Sequence, residues 1–344
     1  MKLFGNSYTK SDLQHKTGRI QQLFGTRHYS LSQGSANGTR CVDVHLGEFS
    51  FTVVPDRCMD ISRASYRGCN LVYQSPVGEV HPAYYDSDGE GFAATFFAGL
   101  LTTCGLTNLS GGGVDPENGE KMGVHGRIHA MPAYEFADLS RWEGEEYIVE
   151  LRGSMQEAHI FRHKLRMTRT IRAVAGQNRL TITDEVENFG VAPSPLTILY
   201  HINPGFPLLD TGAKIASTQA TVTGNDYSQQ FIDSVYDIGA LEAGYKEQNY
   251  LFVMETAEAE ASISNPKLMS GIGAPEAKGL YVKWRTDQMP YMNLWKCLDG
   301  VDYVIGLEPC NAPCRPRTKL REQGLLPIIQ PGERKEFTVE IGVR

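Results

Sequence analysis

The chain has 344 residues, 41% of them hydrophobic, and a formal net charge of −7. That composition supplies a sizeable core and, with no basic stripe, argues against nucleic acid as a partner. No apolar run approaches the ~20 residues of a membrane-crossing helix, and Met1–Asn6 opens no apolar stretch of signal-peptide length, so neither a membrane partner nor export is expected.

In chain order, most of the sequence reads as strands. Val42, Val44 and Leu46 alternate with Asp43 and His45, and Phe49, Phe51 and Val53 resume after a turn at Gly47-Glu48, which is a half-buried hairpin pattern. Cys41, Cys58, Cys69, Cys104, Cys297, Cys310 and Cys314 are odd in number and scattered, which fits unbridged thiols in the cytoplasm. One helix is predicted at about Gly91 to Leu101, where Phe92, Phe96, Phe97, Leu100 and Leu101 recur at helical spacing. Ser110 to Met131, with its three glycines and Asp115-Pro116-Glu117-Asn118-Gly119, reads as a loop. Leu180, Ile182 and Val186 lead into a turn at Asn188-Phe189-Gly190, and a weaker helical stretch falls near Ser228 to Val235. Strands return at Tyr281–Trp284, Met292–Trp295, Tyr303–Leu307 and, after Gln330-Pro331-Gly332-Glu333, at Phe337, Val339 and Ile341. No linker or repeat divides the chain, so the expected fold is an all-β sandwich of large antiparallel sheets with one or two short helices, in one domain over residues 1–344, the first ~40 residues being the least determined.

Three segments carry groups that could do chemistry. Glu308 ends the apolar strand Val304-Ile305-Gly306-Leu307 and precedes Pro309, which stops the ladder. Partial burial there would raise its pKa toward the range of a general base; the alternative is a carboxylate paired with Arg315 or Arg317. His201 follows another apolar run and precedes Asn203-Pro204-Gly205, the alternative being a core histidine bonded to a carbonyl. His125 sits between Gly123 and Gly126, which let a backbone approach a ligand closely. His125 and His129 have the four-residue spacing of a zinc pair on a helix, but Gly123, Gly126 and Pro132 oppose a helix, and His129 reads more simply as a surface loop residue. Arg57, between Asp56 and Asp60, is either a local ion pair or a fork of donors to sugar hydroxyls. Trp295 and Phe206 are candidate stacking faces, with core packing as the other reading. Gly111-Gly112-Gly113 has no phosphate-loop context, Cys310 and Cys314 lack a second pair for a zinc ribbon, and no G-x-S-x-G serine elbow occurs.

The order His125, His201, Glu308, with a Leu-Glu-Pro segment near the end, resembles the aldose 1-epimerase (galactose mutarotase-like) superfamily over roughly Arg40 to Val343. Pro55-Asp56-Arg57 and Pro331-Gly332-Glu333 are similar to segments of a less-characterised bacterial branch. The resemblance implies a β-supersandwich that interconverts sugar anomers by acid–base ring opening, without metal or organic cofactor. It implies Glu308 as the base at the anomeric hydroxyl, His201 as the acid at the ring oxygen, His125 as a hydrogen-bonding neighbour and Arg57 as a hydroxyl-binding arginine. Asn203 follows the second histidine, and Asp226-Tyr227 stands where the family has an Asp-Phe pair. Val124, Arg127, Pro204 and Cys310 depart from the family pattern, and Arg127 is placed to recognise an acidic substituent. The expected partner is a small sugar and the expected state a monomer or homodimer. Two other hypotheses stand beside this one: a metal-assisted sugar isomerase or lyase using His125, His129, His201 and Glu308, and a carbohydrate-binding protein without catalysis.

Overall fold

The structure, a computed structural model, describes residues 1–3 and 5–344. Three antiparallel sheets dominate it. A five-stranded sheet is built by Gly25–Ser30, Arg40–His45, Phe49–Val54, Asp60–Tyr66 and Cys69–Asn70 in sequence order. The expected hairpin lies within it, with Val42 opposite Val53 and Val44 opposite Phe51. A nine-stranded sheet has the long strands Glu146–Ala158, Lys164–Val174 and Arg179–Asn188 side by side, followed by the final strand Arg334–Val343 and then Gly279–Arg285. A six-stranded sheet runs in the order Ala220–Gly224, Gln248–Met254, Tyr291–Leu298, Tyr303–Cys310, Thr197–His201, Thr102–Leu106. The alternation read from the sequence is what buries Leu180, Ile182 and Val186, and Phe337, Val339 and Ile341, against one connected apolar core that extends from Leu3 to Val343.

A network of buried charge ties the sheets together. Arg169 donates to Asp60 Oδ1 at 2.8 Å, to Asp184 Oδ1 and Oδ2 at 2.8 and 2.7 Å, and to the Thr103 hydroxyl at 2.8 Å. The Tyr200 hydroxyl donates to Asp184 Oδ2 at 2.7 Å. Burial raises the Asp60 carboxyl to about 6 even beside this guanidinium. The network therefore anchors the strand that ends at His201 from beneath.

The expected helix at Gly91–Leu101 is not formed; only the single 3-10 turn Ala93–Thr95 is helical. Ala98 and Gly99 both adopt positive φ, 62° and 66°, and a Cβ at Gly99 would lie 2.4 Å from the Ile61 carbonyl oxygen. The chain has to turn there and press against the strand Asp60–Tyr66, which a helix cannot do. Ser228–Ser234 is a 3-10 helix, close to the predicted stretch. Short α-helices at Lys10–Lys16, Pro266–Gly271 and Arg317–Glu322 carried no periodicity long enough to read. Among the described residues, no helix is long and apolar enough to cross a membrane.

Candidate active site

One face of the six-stranded sheet forms the floor of a cleft of about 820 Å³. The floor follows from strand periodicity: Asn293, Trp295 and Cys297 point into the cleft, while Leu294 and Leu298 between and beyond them enter the core. In the neighbouring ladder Asn293 pairs with Glu308 and Trp295 with Gly306, so Glu308 shares that face. Asn249 and Leu251 extend it from the next strand, paired with Trp295 and Asn293. The walls are irregular segments that carry Tyr73, Phe92, Phe96, His125 and Arg315.

His201, Glu308 and His125 converge at one end of this cleft. His201 Nε2 lies 3.1 Å from Glu308 Oε1, and both side chains are buried. The His125 and His201 rings are 6.2 Å apart between centroids and nearly perpendicular. Glu308 Oε2 accepts a hydrogen bond from the Asn293 amide at 2.7 Å. Phe96 and Trp295 pack on His201 at 5.1 and 5.6 Å. Gly306 makes the pairing possible, since a Cβ there would fall 2.1 Å from Glu308 Oε1 and 2.8 Å from His201 Cε1.

His125 is held in a left-handed conformation, φ 57°, which costs free energy for a side chain of its size. Its backbone N–H donates to the Ser110 carbonyl at 2.8 Å, and the Ser110 N–H donates back to His125 Nδ1 at 3.3 Å. With Nδ1 an acceptor, the neutral ring carries its proton on Nε2. Gly126 completes the tight turn, because a Cβ there would meet the Gly105 carbonyl oxygen at 2.1 Å.

Burial governs the protonation of the site. It pushes Glu308 up to about 8, opposed by the Asn293 hydrogen bond. It pushes His201 down to about 3, with His125 adding to the fall, and His125 down to about 4. Between these limits Glu308 carries its proton and His201 is neutral, so the contacting pair holds one titratable proton, with the carboxyl as donor and the imidazole as acceptor. Neither Arg315 nor Arg317 pairs with Glu308: Arg315 donates to Gln323, and Arg317 binds Asp115 and Glu120.

Several expected residues lie elsewhere. Arg57 is fully buried and does not line the cleft; its guanidinium donates to the backbone carbonyls of His129, Val80 and Thr95 at 3.0, 2.8 and 2.8 Å. It is neither a sugar fork nor an ion pair with its flanking acids, since Asp56 binds Arg40 and Asp60 binds Arg169. Arg127 is exposed outside the cleft and acts electrostatically on Glu157 and Tyr85 instead. Asn203 is buried, its amide donating to the carbonyls of Gly99 and His201, so it fixes the strand exit. Asp226 is exposed next to Asn225, which does line the cleft. Phe206 is exposed but faces a second cleft.

His129 is buried rather than a surface residue, packed edge-on against Tyr85 and Phe92 with no polar partner on either ring nitrogen. The segment is a turn followed by the 3-10 helix Ile128–Ala130, so the two histidines do not share a helical face. Among the described residues, no three His, Cys, Asp or Glu side chains gather as a group that could hold a metal ion.

Sequence reasoning missed Asn293, Tyr73, Glu247 and Arg315. Asn293 was the legible one: a polar residue two before Trp295 in an otherwise apolar strand must face the same side as that tryptophan. Glu247 accepts from Trp295 Nε1 at 2.8 Å and fixes the indole.

The sheets and this cleft define a galactose mutarotase-like β-sandwich. A solved structure described as a "putative aldose 1-epimerase", from Klebsiella pneumoniae subsp. pneumoniae, is similar to it with a TM-score of 0.82 at 22% identity, covering 94% of this chain and 88% of that one. A galactose mutarotase-like protein from Clostridium acetobutylicum gives a TM-score of 0.64 at 11% identity, covering 94% and 99%. A galactose 1-epimerase from Lactobacillus acidophilus gives 0.57 at 12%, covering 93% and 99%. These likenesses concern the fold. Residues 36–343 match the family described as a domain of unknown function, DUF4432, and the chain belongs to that family. No curated protein matches the sequence.

Proposed function

We propose that this chain is a cofactor-independent isomerase that interconverts the anomers of a sugar by acid–base ring opening. The observation that carries the reading is the Glu308–His201 contact of 3.1 Å at the buried end of the cleft. A hemiacetal has two oxygens on one carbon, and ring opening takes a proton from the anomeric hydroxyl and gives one to the ring oxygen. A contacting pair that holds a single proton can do both with no net change in its proton count. At neutral pH the pair's proton rests on Glu308. Once it shifts to His201, Glu308 takes the anomeric proton and His201 Nε2 gives the pair's own proton to the ring oxygen. The C1 carbonyl then turns, and the reverse transfers close the ring on its other face. His125 Nε2–H is the neighbouring donor to the ring oxygen, and Trp295, fixed by Glu247, offers a face to the sugar.

Among the described residues, Arg315 is the one guanidinium on the cleft wall and is engaged only by Gln323, so it is the group that would receive an acidic substituent. Seven free cysteines fit a reducing compartment, and we place the protein in the cytoplasm.

The test is NMR exchange between anomers across neutral aldoses, uronic acids and sugar phosphates. We expect acceleration over buffer for at least one sugar, and a loss of ~10²-fold or more in Glu308→Gln and in His201→Asn. Tight binding of a sugar with no exchange would instead mark a carbohydrate-binding protein.

A further inference from the structure

A second cleft of about 590 Å³ adjoins the first, and Tyr73 lines both. The Tyr73 hydroxyl lies 2.8 Å from Asp302 Oδ1 and 3.0 Å from the Val301 carbonyl oxygen, so one tyrosine bridge separates the two spaces. Asp302 lines the inner side of this bridge and Val301 the outer.

The outer cleft is dominated by Phe206, which is 66% exposed. An aromatic ring so exposed is normally on a mobile loop, but here the backbone beneath it is pinned. The Tyr73 N–H donates to Asn203 O at 2.9 Å and the Gly205 N–H to Leu71 O at 3.2 Å. The Asn70 amide donates to Phe206 O at 2.8 Å. Gly205 allows this approach, because a Cβ there would lie 2.3 Å from Tyr73 N. Phe206 thus stands on the same fixed segment as His201, five residues on.

The polar groups around the ring are those that read hydroxyls. Asp210 takes the Thr211 N–H on Oδ1, leaving Oδ2 for another donor, and Gln74, whose amide donates to Asn70 Oδ1 at 3.3 Å, keeps its carbonyl oxygen as an acceptor. Among the described residues, no Lys, Arg or His lines this cleft, so an anionic ligand gains nothing there. An apolar ring with the Asp210 carboxylate at its rim, in a cleft that shares Tyr73 with the first, fits a second sugar ring.

We propose that the Phe206 cleft is a subsite for a second, neutral sugar unit, so that the preferred substrates are reducing disaccharides or longer oligosaccharides. This rests on the reading of the first cleft as the anomer-exchange site. There C1 and the ring oxygen face Glu308 and His201, so the second unit is joined through another hydroxyl of the reducing sugar.

The test compares anomer exchange of maltose, isomaltose, lactose and galactobiose with that of glucose and galactose, in the wild type and in Phe206→Ala, together with saturation-transfer NMR of the same disaccharides. We expect at least one disaccharide to exceed its reducing monosaccharide in kcat/KM by ~5-fold, and Phe206→Ala to abolish that advantage while leaving the monosaccharide within two-fold. Asp210→Ala should act in the same direction. Equal effects of Phe206→Ala on both sugars, or no disaccharide preference together with no Phe206-dependent saturation transfer, would overturn the subsite. So would light scattering in which Phe206→Ala dissociates a dimer without altering selectivity. Saturation transfer that depends on Phe206, with no exchange for any sugar, would keep the subsite and remove the proposed activity.

Discussion

Asn293 and Glu308 face each other across one rung of adjacent antiparallel strands, and the Asn293 amide donates to Glu308 Oε2 at 2.7 Å. The bond leaves Oε1 turned toward His201 and favours the ionised carboxyl, opposing the rise that burial imposes. Asn293 is therefore a positioning residue. Asn293→Ala should lower kcat for anomer exchange by ~10-fold and move the basic limb of the pH–rate profile upward. An unchanged limb would mean that the amide does no more than fill space.

The pH profile of the wild type follows from the same pair. Glu308 loses its proton above about 8, leaving a carboxylate beside a neutral imidazole and no acidic proton in the pair for the ring oxygen. His201 gains one below about 3, and His125 charges below about 4. We expect kcat/KM to be flat through neutrality, to fall above about pH 8 with unit slope, and to fall on the acid side only near pH 4.

Glu308 should also cost stability in a defined window. Its folded pKa lies above its ordinary value of 4.5, so between 4.5 and about 8 the folded state holds a proton that the unfolded state has released. Stability then falls as pH rises, by about 1.4 kcal/mol per pH unit. His201, depressed from 6.5 to about 3, has the opposite sign, adding stability as pH rises through that range. Glu308→Gln removes the first contribution. Thermal melts should show its Tm close to wild type at pH 4.5 and progressively above it toward pH 8.

The buried Arg169 offers a stability test away from the chemistry. Arg169→Met leaves Asp60 and Asp184 buried without their cation and should destabilise the fold by about 3–5 kcal/mol. Urea titration measures it, and a loss under 1 kcal/mol would show that the carboxylates had found other partners.

The strands and the proton-transfer groups were legible in the sequence because each is written locally. Alternation set the faces of Tyr281–Trp284 and Phe337–Ile341, and Glu308 and His201 each follow an apolar run. His201 does end its strand, but Pro309 does not stop the other, which continues to Cys310 with Pro309 opposite Met292. What was not legible depends on partners far along the chain. Nothing near Arg57 announces that Val80, Thr95 and His129 will bring it three carbonyls. The aromatic run after Gly91 has helical spacing, yet its residues serve separate tasks: Phe92 and Phe96 wall the cleft, while Phe97 lies against the Arg57 guanidinium. Arg127 is the anion reader the sequence suggests, but the fold puts it outside the cleft and Arg315 on the cleft wall.

Every bond that Arg57 makes is to main chain, and its acceptors belong to three irregular stretches at residues 80, 95 and 129. The bonds from Arg57 therefore do not depend on which side chains those stretches carry. The wall carrying Phe96 is thus held through main chain, so a changed side chain there would alter the cleft's lining while His125 and the pair on the sheet opposite keep their places.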